Sequence, residues 1–226
     1  MPYQNPTLFG MVYASRLHRE IDKSLGFDEQ LRRKTLPALD LQDRDHARAL
    51  LEWLNKWGCR ITKDSFPKIS RKLGRWFGEW QPRLPHTGRG LVSLEDRDLA
   101  ALIEAYDKLL AIDDFGPTSA SKALFAVCPD AAIPWDAAIQ ANFASPGRAP
   151  ESYRLMLVRS KHEGELLIAD AARCGVAEPQ DIPREVGRPD HTLVQLLDEY
   201  HWITITRGHE IPSREVVQQW AKWVGP

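Results

Sequence analysis

Apolar residues recur every three or four positions along this chain, and that spacing limits its possible folds more than any other feature. Between Asp43 and Trp57 they fall at Ala47, Leu50, Leu51, Leu54 and Trp57, and Gly58 ends the run. One helix face has this period. After Ser93, placed here as an N-cap, the pattern returns at Leu99, Leu102, Ile103, Tyr106, Leu109 and Leu110. Further helices are expected over Val12–Leu25, Asp28–Leu36, Asp64–Trp80, Thr118–Val127, the run after Asp136, Glu151–Arg173 and Ser213–Val224, with Gly and Pro between them. His191–Thr206 reads as helix with an ambiguous end, because Trp202-Ile203-Thr204-Ile205-Thr206 is dense in β-branched residues and favours a strand locally. The fold class is mostly α. Gln81–Gly90 is an exposed basic loop, and residues 177–190 form a Pro-rich connection.

Charge is unevenly spread behind a formal net charge of -1. Between residues 56 and 90, Lys56, Arg60, Lys63, Lys68, Arg71, Lys72, Arg75, Arg83 and Arg89 meet only Asp64 and Glu79, so the remainder is acidic. A local basic patch is the footprint of phosphate contacts, and it is also what a solvated helix face looks like. Trp76, Phe77 and Trp80 lie in the same stretch, either to stack on bases or to form the buried side of that helix. The start of the chain has no basic residues leading into an apolar run, so no signal peptide is expected. Cys59, Cys128 and Cys174 are too few and too scattered for a disulfide framework or a cluster, which implies a reduced, cytoplasmic protein.

Ile112–Ile139 carries the candidate chemistry. A tight turn at Asp113-Asp114-Phe115-Gly116-Pro117 joins two helices, and a later loop ends in Pro134-Trp135-Asp136. Such a turn exposes backbone N–H groups and the positive end of the second helix to a phosphate oxygen. Gly116 supplies a backbone able to turn sharply, Pro117 suits the first helical position, and Thr118 and Ser119 add hydroxyl donors.

Over about 45 residues, Leu94–Ile139, this arrangement resembles the helix-hairpin-helix DNA glycosylase superfamily, whose pattern is a Gly-x-Gly hairpin, an Ala in the next helix and an apolar-Pro-apolar-Asp run. Gly116 takes the second hairpin glycine, Ala120 the helix alanine and Asp136 the catalytic aspartate. Asp114 stands where the first glycine is expected, and Thr118 (Pro117 on a one-residue shift) stands where lyase-type members carry a lysine. The resemblance therefore implies monofunctional hydrolysis of an N-glycosidic bond, with Lys122 the alternative nucleophile one turn further on. Trp135 either lines a base pocket or is simply buried.

The resemblance also implies a two-lobed helical fold with a cleft between the lobes. Residues 40–132 form the lobe with the helix-hairpin-helix, and residues 1–39 and 133–226 form the second. The partner implied is double-stranded DNA, held at Gly116, Thr118, Ser119, Arg83 and Arg89, with no membrane, obligatory protein partner, cofactor or metal. Asp43-Arg44-Asp45-His46 has the residue types of a metal site yet reads as helix capping, and His162-Glu163 and His209-Glu210 lack partners at ligand spacing. The biological role left open is base repair or defence against modified viral DNA. The alternative is a non-enzymatic DNA-binding protein that kept the scaffold.

Overall fold

A computed structural model describes residues 3–22, 26–86, 88–143, 150–213, 215, 216 and 219. The described residues contain no strand and form ten α-helices, in keeping with the mostly α class that the periodicity predicts. They are α1 (Leu8–Ile21), α2 (Phe27–Lys34), α3 (Arg44–Lys56), α4 (Phe66–Trp80), α5 (Asp96–Leu110), α6 (Pro117–Val127), α7 (Ala137–Phe143), α8 (Pro150–Arg173), α9 (Ile182–Val186) and α10 (Leu193–His201). The expected terminal helix over Ser213–Val224 lies mostly outside the described residues.

Capping chemistry starts these helices. Asp43 caps α3 by accepting from the N–H groups of Asp45 and His46, so this acidic run is a cap. α5 begins two residues later than expected. Leu91–Ser93 forms a short 3-10 turn, Glu95 is the N-cap, and Asp98 returns a bond to the Glu95 N–H to close a capping box. The Pro-rich connection holds a 3-10 turn at Pro179–Asp181 followed by α9, whose Ile182 and Val186 are buried.

Helices α3, α4, α5 and α6 pack in succession, and α2 lies on α3, tied by a hydrogen bond from the Trp53 indole to Asp28 and an ion pair from Lys34 to Glu52. α1 packs on α9 and α10, which brings the two ends of the chain together. The 24-residue α8 crosses beneath both groups, touching α5, α7 and α10 along a stripe that includes Tyr153, Met156, Leu157, Gly164 and Leu167.

Two aromatic expectations resolve into core packing. Trp76 and Trp80 are buried, the Trp76 indole donates to the Ala105 carbonyl at 2.9 Å, and Phe77 packs half-buried against the core. Trp76 is committed to holding α4 on α5, and neither it nor the buried Trp80 is free to stack on bases. The Trp202–Thr206 segment is not a strand. It continues α10 as a π-helical turn, with Ile203 fully buried and the Thr204 hydroxyl donating back to the Tyr200 carbonyl. Burial of one face and back-bonding by threonine outweigh local β propensity.

Gly164 shows how tightly α8 is crossed. A Cβ there would sit 2.6 Å from Val92 Cγ1 and 3.4 Å from Leu193 Cδ2. Gly164→Ala is expected to lose about 1–3 kcal/mol to overpacking, although alanine is the better helix former by about 1 kcal/mol. Thermal melting should show the loss and its recovery on adding Val92→Ala; an unchanged melting temperature in the single variant would refute the close crossing.

Candidate functional site

The turn between α5 and α6 is built differently from its glycine pattern. Asp114 adopts φ 66, the left-handed conformation, so it makes the turn that a glycine would make. Aspartate is among the few residues that tolerate it. Gly116 is extended (φ -102, ψ -179), so the sharp turn is not its work, and a Cβ there would meet nothing within 4 Å. Its backbone is open on that side. Asp113 is ion-paired with Lys68 (2.6 Å) and Lys72 (2.9 Å) from α4, and these two bonds hold its carboxyl down at about 2. Two cations of the basic stretch therefore neutralise the turn.

Thr118 is half-buried, whereas Ser119 is buried, so its hydroxyl is not open to a surface phosphate. Arg83 pairs with Glu104 and lies over the Trp80 ring, and Arg89 clamps Glu95 and Asp98 at the start of α5. Arg89 sits at the opposite end of α5 from the turn, and Arg83 lies beside its middle, at Glu104. A 15-residue helix is about 22 Å long, so the loop and the turn do not form one compact phosphate grip.

The loop leading to Asp136 is locked to α6. Trp135 is buried, and its indole N–H donates to the Pro117 carbonyl at 3.2 Å. The Ser121 hydroxyl accepts from the Trp135 N–H at 3.2 Å and donates to the Thr118 carbonyl at 3.1 Å. The Trp135 ring packs edge-on against Tyr106 and Tyr153, which stack with centroids 4.2 Å apart. Trp135 is thus a core residue and does not line the cavity described below. Its anchoring delivers Asp136 to the start of α7, where Oδ1 accepts from the Ile139 N–H (2.9 Å) and Oδ2 from the Thr206 hydroxyl (2.7 Å).

Lys122, one turn into α6, points the other way, into a cavity of about 140 Å³ between α1, α2, α3, α6 and α10. Its Nζ lies 4.3 Å from the centre of the Trp57 ring, and Trp53, Phe125 and Pro134 complete the less polar wall. Asp28 and Asp198 face the same space. Burial pushes the Asp198 carboxyl up to about 6; the positive charges of Lys122 and His201 oppose this, and Asp136 and Asp28 reinforce it. Asp136 is therefore within electrostatic reach of the cavity even though it does not line it. The sequence did not single out Asp28, Trp57 and Asp198, and the one available signal was Asp198-Glu199 following the largely apolar first turns of α10.

Glu199 forms the far wall. It is buried and accepts hydrogen bonds from the Arg188 guanidinium, at 2.6 Å, and from the Ser15 hydroxyl, with His191 at 3.2 Å and His18 at 3.4 Å. Burial alone would raise its carboxyl; the hydrogen bonds of His191 and Ser15 and the charges of His18 and Arg188 outweigh that and hold it below its ordinary value. Deeper still, His201 bonds Glu163 at 2.7 Å, and Arg159 also binds that carboxylate. Among the described residues no group of three His, Cys, Asp or Glu is placed to hold a metal ion.

No family model, curated protein or solved structure matches the chain. No helix among the described residues is long and apolar enough to cross a membrane.

The Glu199 cluster fixes α10 relative to α1, so removing its charge should be felt globally. Glu199→Gln leaves the buried Arg188 without a carboxylate and is expected to cost about 3–5 kcal/mol at pH 7. Because the folded carboxyl is depressed, its contribution is present above the ordinary glutamate value of 4.5 and fades as pH falls below it. Denaturant unfolding at pH 7 and pH 3.5 measures both; equal stability of the two proteins at pH 7 would remove this role.

Proposed function

We propose that the protein is a DNA N-glycosylase that hydrolyses the bond between deoxyribose and a flipped-out damaged or modified base in double-stranded DNA, leaving an abasic site. The observation that carries this reading is the cavity beside α6. There a primary amine, Lys122, and the carboxyl of Asp198 face the same space next to an aromatic wall, with a second carboxylate, Asp136, within electrostatic reach. The Asp114 turn with its open Gly116 backbone, at the head of the same helix, supports contact with a phosphate on the strand carrying the target.

In this reading, residues 40–132 form one helical lobe and the paired chain ends the other, with the cavity as the cleft between them. The pairing of α1 with α9 and α10 supports the second lobe. The target nucleotide leaves the stack and enters the cavity. Cleavage builds positive charge on the sugar, and a fixed carboxylate in a partly dry site stabilises it. Asp136 suits that task because the Ile139 N–H and Thr206 hydroxyl hold its position, while a carboxylate retains further acceptor sites for a water. That water, deprotonated by Asp136, attacks the sugar carbon.

A second reading, a non-enzymatic helix-hairpin-helix DNA-binding protein, is favoured by the same two hydrogen bonds, since they also describe an ordinary helix cap. Asp136→Asn separates the readings. It is expected to keep salt-sensitive duplex binding and to lose base release about 100-fold or more, measured on oligonucleotides carrying different modified bases. Full release by this variant removes the catalytic assignment, and binding without release by the wild type from every base establishes the second reading. Lys122 is tested in the same assay by borohydride trapping. Hydrolysis predicts no trapped adduct, and an adduct that disappears in Lys122→Gln would move the enzyme to the lyase class.

A further inference from the structure

The cavity differs from other polar patches in how its charged side chains are spent. Asp28 accepts from the Trp53 indole, Glu199 is held by Arg188 and Ser15, and Arg32 pairs with Glu29. Lys122 and Asp198 differ. Among the described residues neither makes a hydrogen bond or an ion pair, no ion pair joins them, and Lys122 merely rests on Trp57. The Trp57 indole N–H on that wall is buried and also has no partner. A cavity that leaves two half-buried ionisable groups unpaired across it, in a molecule where the buried carboxylates Glu163 and Glu199 are both paired, is built for a ligand that completes both.

From this geometry, and resting on the glycosylase reading, we propose that Asp198 is the general acid of the cavity, passing its proton to a ring nitrogen or carbonyl oxygen of the base as it leaves. The glycosidic C–N bond breaks with its electron pair going to the base. Asp198 supplies the proton that the base then needs. Water adds its oxygen to the sugar carbon and gives a proton to Asp136, so one carboxyl is discharged as the other is charged, and solvent exchange restores both. Lys122 is a donor only, and Asp198 in its protonated form is a second donor. The pair therefore selects a base whose inserted edge presents acceptors, as a carbonyl-bearing base does.

The proton balance of Asp198 is set by groups from each neighbouring element. Burial favours its protonated form, Asp28 on α2 and Asp136 before α7 reinforce this, and Lys122 on α6 and His201 at the end of α10 oppose it. On the α1 side, His18 is engaged with Asp22 and Glu199, and His191 with Glu199.

The experiment combines a carboxyl-carbon NMR titration of the full chain with single-turnover base release between pH 5 and 8. The signal lost in Asp198→Asn should titrate at about 6 in the wild type. Wild-type release should fall tenfold per pH unit above that value, while Asp198→Asn should be about 100-fold slower at pH 5 and flat. Thermal melting checks that the variant is folded. A carboxyl titrating near its ordinary 3.8, or an unchanged pH profile in Asp198→Asn, overturns the proposal and leaves the glycosylase reading standing. If the wild type releases no base, the glycosylase reading fails. In that case a free carbonyl-bearing base that quenches tryptophan fluorescence in the wild type but not in Asp198→Asn still supports Asp198 as the donor of this cavity, and the absence of quenching overturns that as well.

Discussion

The Trp135 indole is the contact on which the rest of the site depends. One buried ring ties the loop before α7 to the first turn of α6 through the Pro117 carbonyl and packs edge-on against the Tyr106–Tyr153 stack, joining α5 and α8. Aromatic contacts of this kind contribute about 0.5–1.5 kcal/mol each beyond the area they bury. Their larger effect here is geometric. Because Ser121 bonds the Trp135 backbone, the chain that continues into Asp136 has no freedom to drift from α6. Asp136 and Lys122 thus belong to one rigid unit, although the segment between them contains no regular structure from Cys128 to Asp136.

Around that unit the buried charges are resolved locally, whereas the half-buried Lys122 and Asp198 are not. Glu199 collects Arg188, Ser15, His18 and His191; Glu163 collects His201 and Arg159. Networks of this kind rarely add stability compared with apolar packing, yet breaking one side is severe. They hold α10 in one register against α1 and α8. The consequence reaches Asp198, the neighbour of Glu199 in sequence. With Glu199 anchored, Asp198, about 100° further round the helix, lines the same cavity as Lys122. Its carboxyl is raised by burial, reinforced by Asp136 and Asp28.

Helix positions were legible because one face of each helix must be apolar, and the period survives irregular boundaries. The start of α5 was misplaced at Ser93 because two capping candidates lie two residues apart, and only the reciprocal Glu95–Asp98 bonds decide between them. The Trp202–Thr206 strand failed because propensity is local whereas the burial of Ile203 is not. Within the site, Lys122 was visible from its spacing to the turn. Asp28, Trp57 and Asp198 were not, because they come from three helices widely separated in sequence and meet only after α2 packs on α3 and α10 on α1. The basic run from 56 to 90 was legible as a charge but not as a surface. Folding α4 against α5 sends Lys68 and Lys72 to one end of α5, Arg83 to its middle and Arg89 to the other end.

That division of charge bears on how a polyanion would be received. Lys68 and Lys72 already neutralise Asp113, so a phosphate reaching the open Gly116 backbone competes with Asp113 for the same two ammonium groups. Exposed ion pairs of this sort are weak and exchange readily. The two lysines can therefore turn from carboxylate to phosphate at little cost, while Asp113 remains solvated. A cationic groove on the other side of α4, about 510 Å³ and lined by Arg44, Arg48, Lys63 and Arg71, adds charge that is only partly offset by Asp45 and Glu52. The turn, the lysines and this groove lie towards the same end of α4. Arg83 and Arg89 stand apart from it, each bound to carboxylates of α5 or its cap. On physical grounds the phosphate-facing surface of the proposed complex is the N-terminal half of α4 with the Asp114 turn, and the loop arginines serve chiefly to hold α5 in place.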